Sequence, residues 1–229
     1  MNYEIKGGNL PVVICELQRG ESMVTESGGM GWMTPNIDMS TNMEGGFFGG
    51  IARKFSGESL FLTTYTCTNG VGTIAFPSCF PGSIISFDLM HGESIICQKR
   101  SFLCAERSVK LEVFFRKKAS VGFFGGEGFI MQKLTGPGRV FLEIDGSAIK
   151  HTLNSGEKLM VDTGHVAILT QSVSMEVTTV KGFKNVFFGG EGLFLTELTG
   201  PGEVWLQTMP IQNVASSIMP FMPTGNNKS

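Results

Sequence analysis

One stretch of this chain occurs twice, almost letter for letter, and it constrains the fold more than any other feature. Phe123-Phe124-Gly125-Gly126-Glu127-Gly128 leads through Leu134-Thr135-Gly136-Pro137-Gly138 into Val140-Phe141-Leu142. The same order returns as Phe187-Phe188-Gly189-Gly190-Glu191-Gly192, then Leu198-Thr199-Gly200-Pro201-Gly202, then Val204-Trp205-Leu206, offset by 64 residues throughout. A weaker third copy lies upstream. There Gly57-Glu58-Ser59-Leu60-Phe61-Leu62 matches the segment ending at Leu195, and Thr68-Asn69-Gly70-Val71-Gly72 stands for the Thr-Gly-Pro-Gly turn. Its Phe47-Phe48-Gly49-Gly50 is displaced by the insertion from Ile51 to Ser56.

The other half of each unit repeats as well. Gly20-Glu21, Gly92-Glu93 and Gly156-Glu157 each follow an alternating apolar run, with offsets of 72 and 64 residues. The units are therefore 10–76, 82–143 and 146–208, followed by a tail over 212–229. Such self-similarity is the mark of a repeat architecture.

Within a unit the pattern is strand and hairpin. Val109 to Phe115 and Val173 to Val177 alternate apolar and polar residues, as a half-buried strand does. Gly-Glu and Thr-Gly-Pro-Gly fall between such runs, where glycine supplies positive φ and proline fixes its own. The fold class expected is all-β: three internally repeated units of β-sandwich or double-stranded β-helix type in a pseudo-threefold arrangement. Closure about an axis is preferred because an open stack leaves unpaired edge strands. The tail departs from the pattern and is expected to begin ordered and end frayed.

Hydrophobic residues at 41% against 17% charged, with 31 glycines, exclude a disordered chain and point to a turn-rich one. A formal net charge of −2 gives no general attraction to nucleic acid, so no nucleic-acid partner is expected. Five cysteines, an odd number, read as free thiols in a reducing compartment. With no signal-peptide pattern and no long apolar run, the expected location is cytoplasmic.

Little in the chain resembles a catalytic constellation. Glu58, Glu127 and Glu191, at repeat-related positions, are weak candidates for an oxygen-ligand cation site; the plainer reading is that the Glu after a hairpin glycine is solvated or holds a turn amide. Neighbouring strand residues face opposite sides, so each Phe-Phe pair sends one ring away from the core. Either a second sheet of the same chain covers that ring or a partner does, so Phe124, Phe188 and Phe48 are candidate interface residues, for a second subunit, a protein partner or a membrane surface, with the chain's own core as the plainer reading. The glycine-rich loops are followed by no helix, which argues against phosphate binding. His91, His151 and His165 form no metal-ligand pair, and His151 holds a position occupied by Cys15 and Phe87 in the other units, which suggests packing. Arg116-Lys117-Lys118 reads as a solvated linker between the second and third units.

The doubled Phe-Phe-Gly-Gly-Glu-Gly and Leu-Thr-Gly-Pro-Gly signature resembles a family of bacterial proteins without assigned activity, which includes a yeast mitochondrial protein named for altered inheritance of mitochondria. The resemblance covers about 10–208 and implies a double-stranded β-helix fold grouped with the tryptophan RNA-binding attenuation protein. It brings no catalytic residue and no cofactor. The function expected is a non-enzymatic scaffold or interaction protein, homo-oligomeric and peripheral to membrane. The alternative is a small-ligand or metal-binding β-helix protein with enzyme activity, and RNA binding is the least supported.

Overall fold

The computed structural model describes residues 1–26, 28–41, 62–117, 128–179 and 194–222. The strands are β1 (Asn2–Lys6), β2 (Val12–Gln18), β3 (Ser22–Glu26), β4 (Trp32–Met33), β5 (Ile37–Thr41), β6 (Leu62–Cys67) and β7 (Val71–Pro77). There follow β8 (Gly82–Leu89), β9 (Ser94–Gln98), β10 (Phe102–Glu106), β11 (Lys110–Lys117), β12 (Phe129–Thr135) and β13 (Gly138–Asp145). The last set is β14 (Ala148–Leu153), β15 (Lys158–Asp162), β16 (Val166–Thr170), β17 (Ser174–Thr179), β18 (Phe194–Thr199) and β19 (Gly202–Gln207). A short helix, α1 (Ile211–Ile218), starts the C-terminal tail, so its ordered start is seen. Residues 223–229 lie outside the described part.

Every strand pairing is antiparallel, and the expected all-β class holds, with several sheets. Period-2 alternation builds it. In β2, Val13, Cys15 and Leu17 are fully buried while Glu16 and Gln18 face water. The expected strand from Val109 is β11, but its alternation does not run through. A register shift between Val113 and Phe115 leaves Val113 and Phe114 exposed, whereas Phe115 packs edge-on against Phe129.

The strand orders of two sheets carry the architecture. One runs β5-β6-β3-β10-β13-β8, the other β11-β12-β9-β16-β19-β14, so each strand of the second lies six elements after its counterpart. Each sheet joins two consecutive stretches of chain. The first joint pairs β3 with β10 (Ala105 opposite Val24, Glu106 opposite Met23) and the second pairs β9 with β16 (Leu169 opposite Ile96, Thr170 opposite Ile95). Continuing the offset would give a third sheet, β17-β18-β15-β4-β7-β2. Among the described residues that sheet is in two pieces, β1-β2-β7-β4 and β15-β18-β17, with no pairing between β4 and β15. The closure expected from the repeat is thus not made by backbone hydrogen bonds at this place.

Three apolar clusters fill the spaces between sheets. The first gathers Val13, Cys15, Leu17, Ile74 and Phe76 against Tyr65 and Cys67, and takes in Leu103, Cys104 and Phe141 from the following stretch. The second is built on Leu134, Val140 and Leu142, with Val24 arriving from the stretch before and Ile168 from the one after. The third holds Val166, Leu169, Leu198 and Val204, with Ile96 arriving from before. Each joint therefore exchanges apolar side chains in both directions, among them Val24 against Cys104 at the first and Ile96 against Ile168 at the second.

Two placements differ from the sequence reading. The turn after β6 does not align Thr68 with Thr199. Thr66 lies opposite Ser22 as Thr135 lies opposite Ser94, each pair sharing a hydroxyl–hydroxyl hydrogen bond (2.8 and 2.9 Å), and Gly72 lies opposite Leu17 as Gly138 lies opposite Leu89, so the first-unit turn is three residues longer than the second's. Arg116 and Lys117 end β11 opposite Ile130 and Phe129, so they sit within a hairpin of the second unit rather than between units.

Ile168 is fully buried at the second joint, whereas Met160 is 52% exposed at the free edge of β15. Chemical denaturation should show Ile168→Ala losing about 2–5 kcal/mol. Met160→Ala should lose less than about 1 kcal/mol when the chain is diluted to a monomer.

Candidate functional site

The Gly-Glu motif has a structural role wherever it is described. Glu21 accepts the backbone N–H of Gln18 through its carboxylate at 2.8 Å, Glu93 that of Met90 at 2.7 Å, and Glu157 that of Asn154 at 2.8 Å. In each case the glutamate N–H also donates to the carbonyl of that same earlier residue. The turn is closed from both sides, and the carboxylate is occupied by it.

The turn is also clamped from across the sheet. Gly136 N–H donates to the Glu93 carbonyl and Gly200 N–H to the Glu157 carbonyl, both at 2.9 Å. A Cβ on Gly136 would come 2.5 Å from the Met90 carbonyl oxygen, and one on Gly200 2.3 Å from that of Asn154. Only glycine permits this approach. The two repeated motifs are thus one device, a Gly-Glu turn locked against a Thr-Gly-Pro-Gly turn. In the first unit Cys67 takes the place of the clamping glycine and donates its N–H to the Glu21 carbonyl at 3.0 Å.

Glu58, Glu127 and Glu191, and likewise Phe48, Phe124 and Phe188, lie outside the described residues. Among the described residues no group of three or more His, Cys, Asp and Glu comes together to hold a metal ion. His165 has both ring nitrogens engaged, one with the Gln207 carbonyl at 2.7 Å and the other with the Asn213 side-chain amide at 3.4 Å. His151 is half-buried in β14 opposite Val204, while its counterpart Cys15 is fully buried and Phe87 stacks edge-on against Trp205 at 5.3 Å.

All five cysteines are free, and burial pushes three of the thiols up: Cys15 to about 12, with Cys97 and Cys104 also raised. Cys79 is at the surface, yet partial burial and the Glu143 carboxylate, which accepts its S–H at 3.2 Å, push it to about 11. None is poised as a nucleophile. Arg139 grips Asp88 with two side-chain hydrogen bonds, one of them Nη2 to Oδ2 at 2.8 Å, and lies over the Tyr3 ring. That pairing holds the Asp88 carboxyl below the ordinary carboxylate range. An open depression of about 290 Å³ is lined by Leu17, Glu21, Ser22, Glu106, Arg107 and Ser108 beside Met1. Its Glu21 already serves the turn.

Two half-exposed apolar side chains stand on edge strands. Trp32 on β4 and Met160 on β15 are each 52% exposed. Their counterparts at offsets of 72 and 64 residues are Cys104 and Ile168 for Trp32, and Val24 and Ile96 for Met160; none of these four exceeds 8% exposure. Sequence reasoning did not single out Trp32 or Met160. The signal was present in the offsets, which set both against positions occupied only by apolar residues. A second apolar cluster, Ile218, Met219, Phe221 and Met222, is exposed on and after α1, with Phe221 at 87%. No helix among the described residues is long and apolar enough to cross a membrane.

This geometry defines an all-β protein of several antiparallel sheets whose glutamates and glycines serve its turns. The chain belongs to the Mitochondrial biogenesis AIM24 family, whose family model matches residues 3–209. It is 27% identical over 225 residues to an uncharacterized protein of Streptococcus pyogenes serotype M6, covering 95% of this chain and 89% of that one. It also resembles a crystal structure of a Streptococcus pyogenes protein, with a TM-score of 0.77, 25% identity, and coverage of 96% of this chain and 99% of that one.

Two outcomes test these roles. Glu157→Ala frees the Asn154 amide, and urea unfolding should register a loss of about 1 kcal/mol, which Glu157→Gln largely avoids. For Asp88, a carboxyl that ionises lower when folded adds stability above the unfolded carboxylate range and loses it as pH falls through the lowered value. Asp88→Asn should therefore melt earlier than wild type at pH 7, and thermal melts in acid should bring the two together.

Proposed function

We propose that the protein is a non-enzymatic scaffold that works by association, with copies of itself first, and that its three six-strand stretches are units set about a common centre. One observation carries this reading: among the described residues the Gly-Glu carboxylates and His165 are engaged in structural bonds, while the apolar Trp32 and Met160 are half-exposed on edge strands. Glu21, Glu93 and Glu157 hold turns, His165 is bonded through both nitrogens, and the Cys15 and Cys79 thiols are pushed away from ionisation. Among the described residues, Trp32 and Met160 stand on strands that are paired on one side. Exposed apolar side chains on an open edge are a ready site for pairing with another chain. The five free thiols suit a reducing compartment, in keeping with a cytoplasmic setting.

A second reading, attachment to a membrane surface, is favoured by the uncharged run Ile218-Met219-Pro220-Phe221-Met222, exposed throughout. An apolar segment of this kind gains by burial at the edge of a bilayer.

Light scattering tests the first reading. The expected mass is a multiple of 24.8 kDa, with no stoichiometric metal by elemental analysis and no excess absorbance at 260 nm. A monomer carrying one equivalent of zinc, iron or manganese would overturn it in favour of the ligand-binding alternative. Flotation with phosphatidylcholine vesicles tests the second, and Phe221→Ser should abolish any co-flotation.

A further inference from the structure

Resting on the self-associating reading above, we infer that β15 of one copy pairs with β4 of a second copy, in the geometry by which consecutive units already join inside the chain. The template is explicit. At the first joint β3 meets β10 with Ala105 opposite Val24; at the second, β9 meets β16 with Leu169 opposite Ile96. Shifting by the repeat offsets puts Met33 where Ala105 and Leu169 stand, and Met160 where Val24 and Ile96 stand. The third joint would therefore set Met33 opposite Met160. It would be two or three residues long, as both existing joints are.

The side-chain exchange specifies the partner further. At each joint the exchange includes an apolar residue of the earlier strand entering the later cluster (Val24, Ile96) and one of the later strand entering the earlier cluster (Cys104, Ile168). By the same rule Met160 belongs in the first cluster, beside Val13, Leu17 and Phe76, and Trp32 belongs in the third, beside Val166 and Leu198. Within one chain neither goes there. Both are 52% exposed, and the half-sheets that carry them are not paired. A surface whose complement is the opposite end of an identical molecule is satisfied by a second copy. Burying both side chains and pairing both edges supplies the backbone hydrogen bonds and apolar contact that the free edges lack. The contact is head-to-tail, so it makes a ring where the rotation closes and a filament where it does not.

Two measurements on the full chain decide it. Trp32→Lys and Met160→Lys put a charge on side chains already half in water, so circular dichroism should remain that of the folded protein. Sedimentation should show self-association weakened at least about tenfold. For the register, Met33→Cys and Met160→Cys are placed in separate proteins carrying Cys79→Ser, mixed, and treated with a short bismaleimide. A product of twice the chain mass formed in the mixture, and far less by either protein alone, is the expected result. If the doubly substituted chain instead cross-links to itself at unchanged mass and high dilution, the joint closes within one molecule and the inference is wrong. If an oligomer persists through both lysine variants with no cross-link, self-association stands and this joint is overturned. A monomeric wild type overturns both.

Discussion

The backbone pairing between consecutive stretches of chain is the constraint on which the rest depends. Antiparallel pairs of consecutive strands such as β1–β2 could each form alone, but an isolated hairpin is marginal in water. Stability comes when β3 reaches β10 and β9 reaches β16, because those pairings extend three-strand pieces into six-strand sheets. The same pairings bring Val24, Cys104, Ile96 and Ile168 into clusters built mostly from other units. A unit of this protein thus never owns its core outright. Its interior is completed by its neighbours, and the chain ends of the series are the places where completion fails.

That logic accounts for where the polar residues went. A turn that must lie against another turn cannot leave its amides to water on both sides, so a glutamate carboxylate closes it from within and a glycine N–H from across. The glycine is demanded by the closeness of the Met90 and Asn154 carbonyls, and the glutamate by the amide three residues earlier. What reads along the sequence as two separate signatures is a single contact repeated at each unit. The Arg139–Asp88 pair and the Tyr3 ring finish the same rim by joining β13, β8 and the first strand.

Much of this was legible in the residues, and what was not has a physical reason. The alternation of Val13, Cys15 and Leu17 and the turn role of Gly-Glu are local facts, and both hold. The exposure of Val113 is not local: it follows from a register shift imposed by β12, which alternation cannot report. The longer turn after β6 was misaligned because Thr68 imitates the threonine of the other copies, whereas cross-strand partners place Thr66 there. The basic pair of β11 was set between units because its charge suggested a linker, while pairing decides position. Phe48, Phe124, Phe188 and the three glutamates near them lie outside the described residues. The unmade pairing of β4 with β15 could not be read at all, since a pattern in letters says which edges match and not which edges meet.

The packing of the thiols has a consequence for anyone following this molecule in solution. Cys97 sits in β9, hydrogen-bonded into the sheet on both flanks, opposite Gln132 and Ile168, and is wholly enclosed. An alkylating reagent reaches it only when the strand leaves its neighbours, and burial already disfavours the reactive thiolate. Labelling at Cys97 is therefore a built-in clock for the opening of the middle of the molecule, wound by the protein's own breathing and needing no engineered probe.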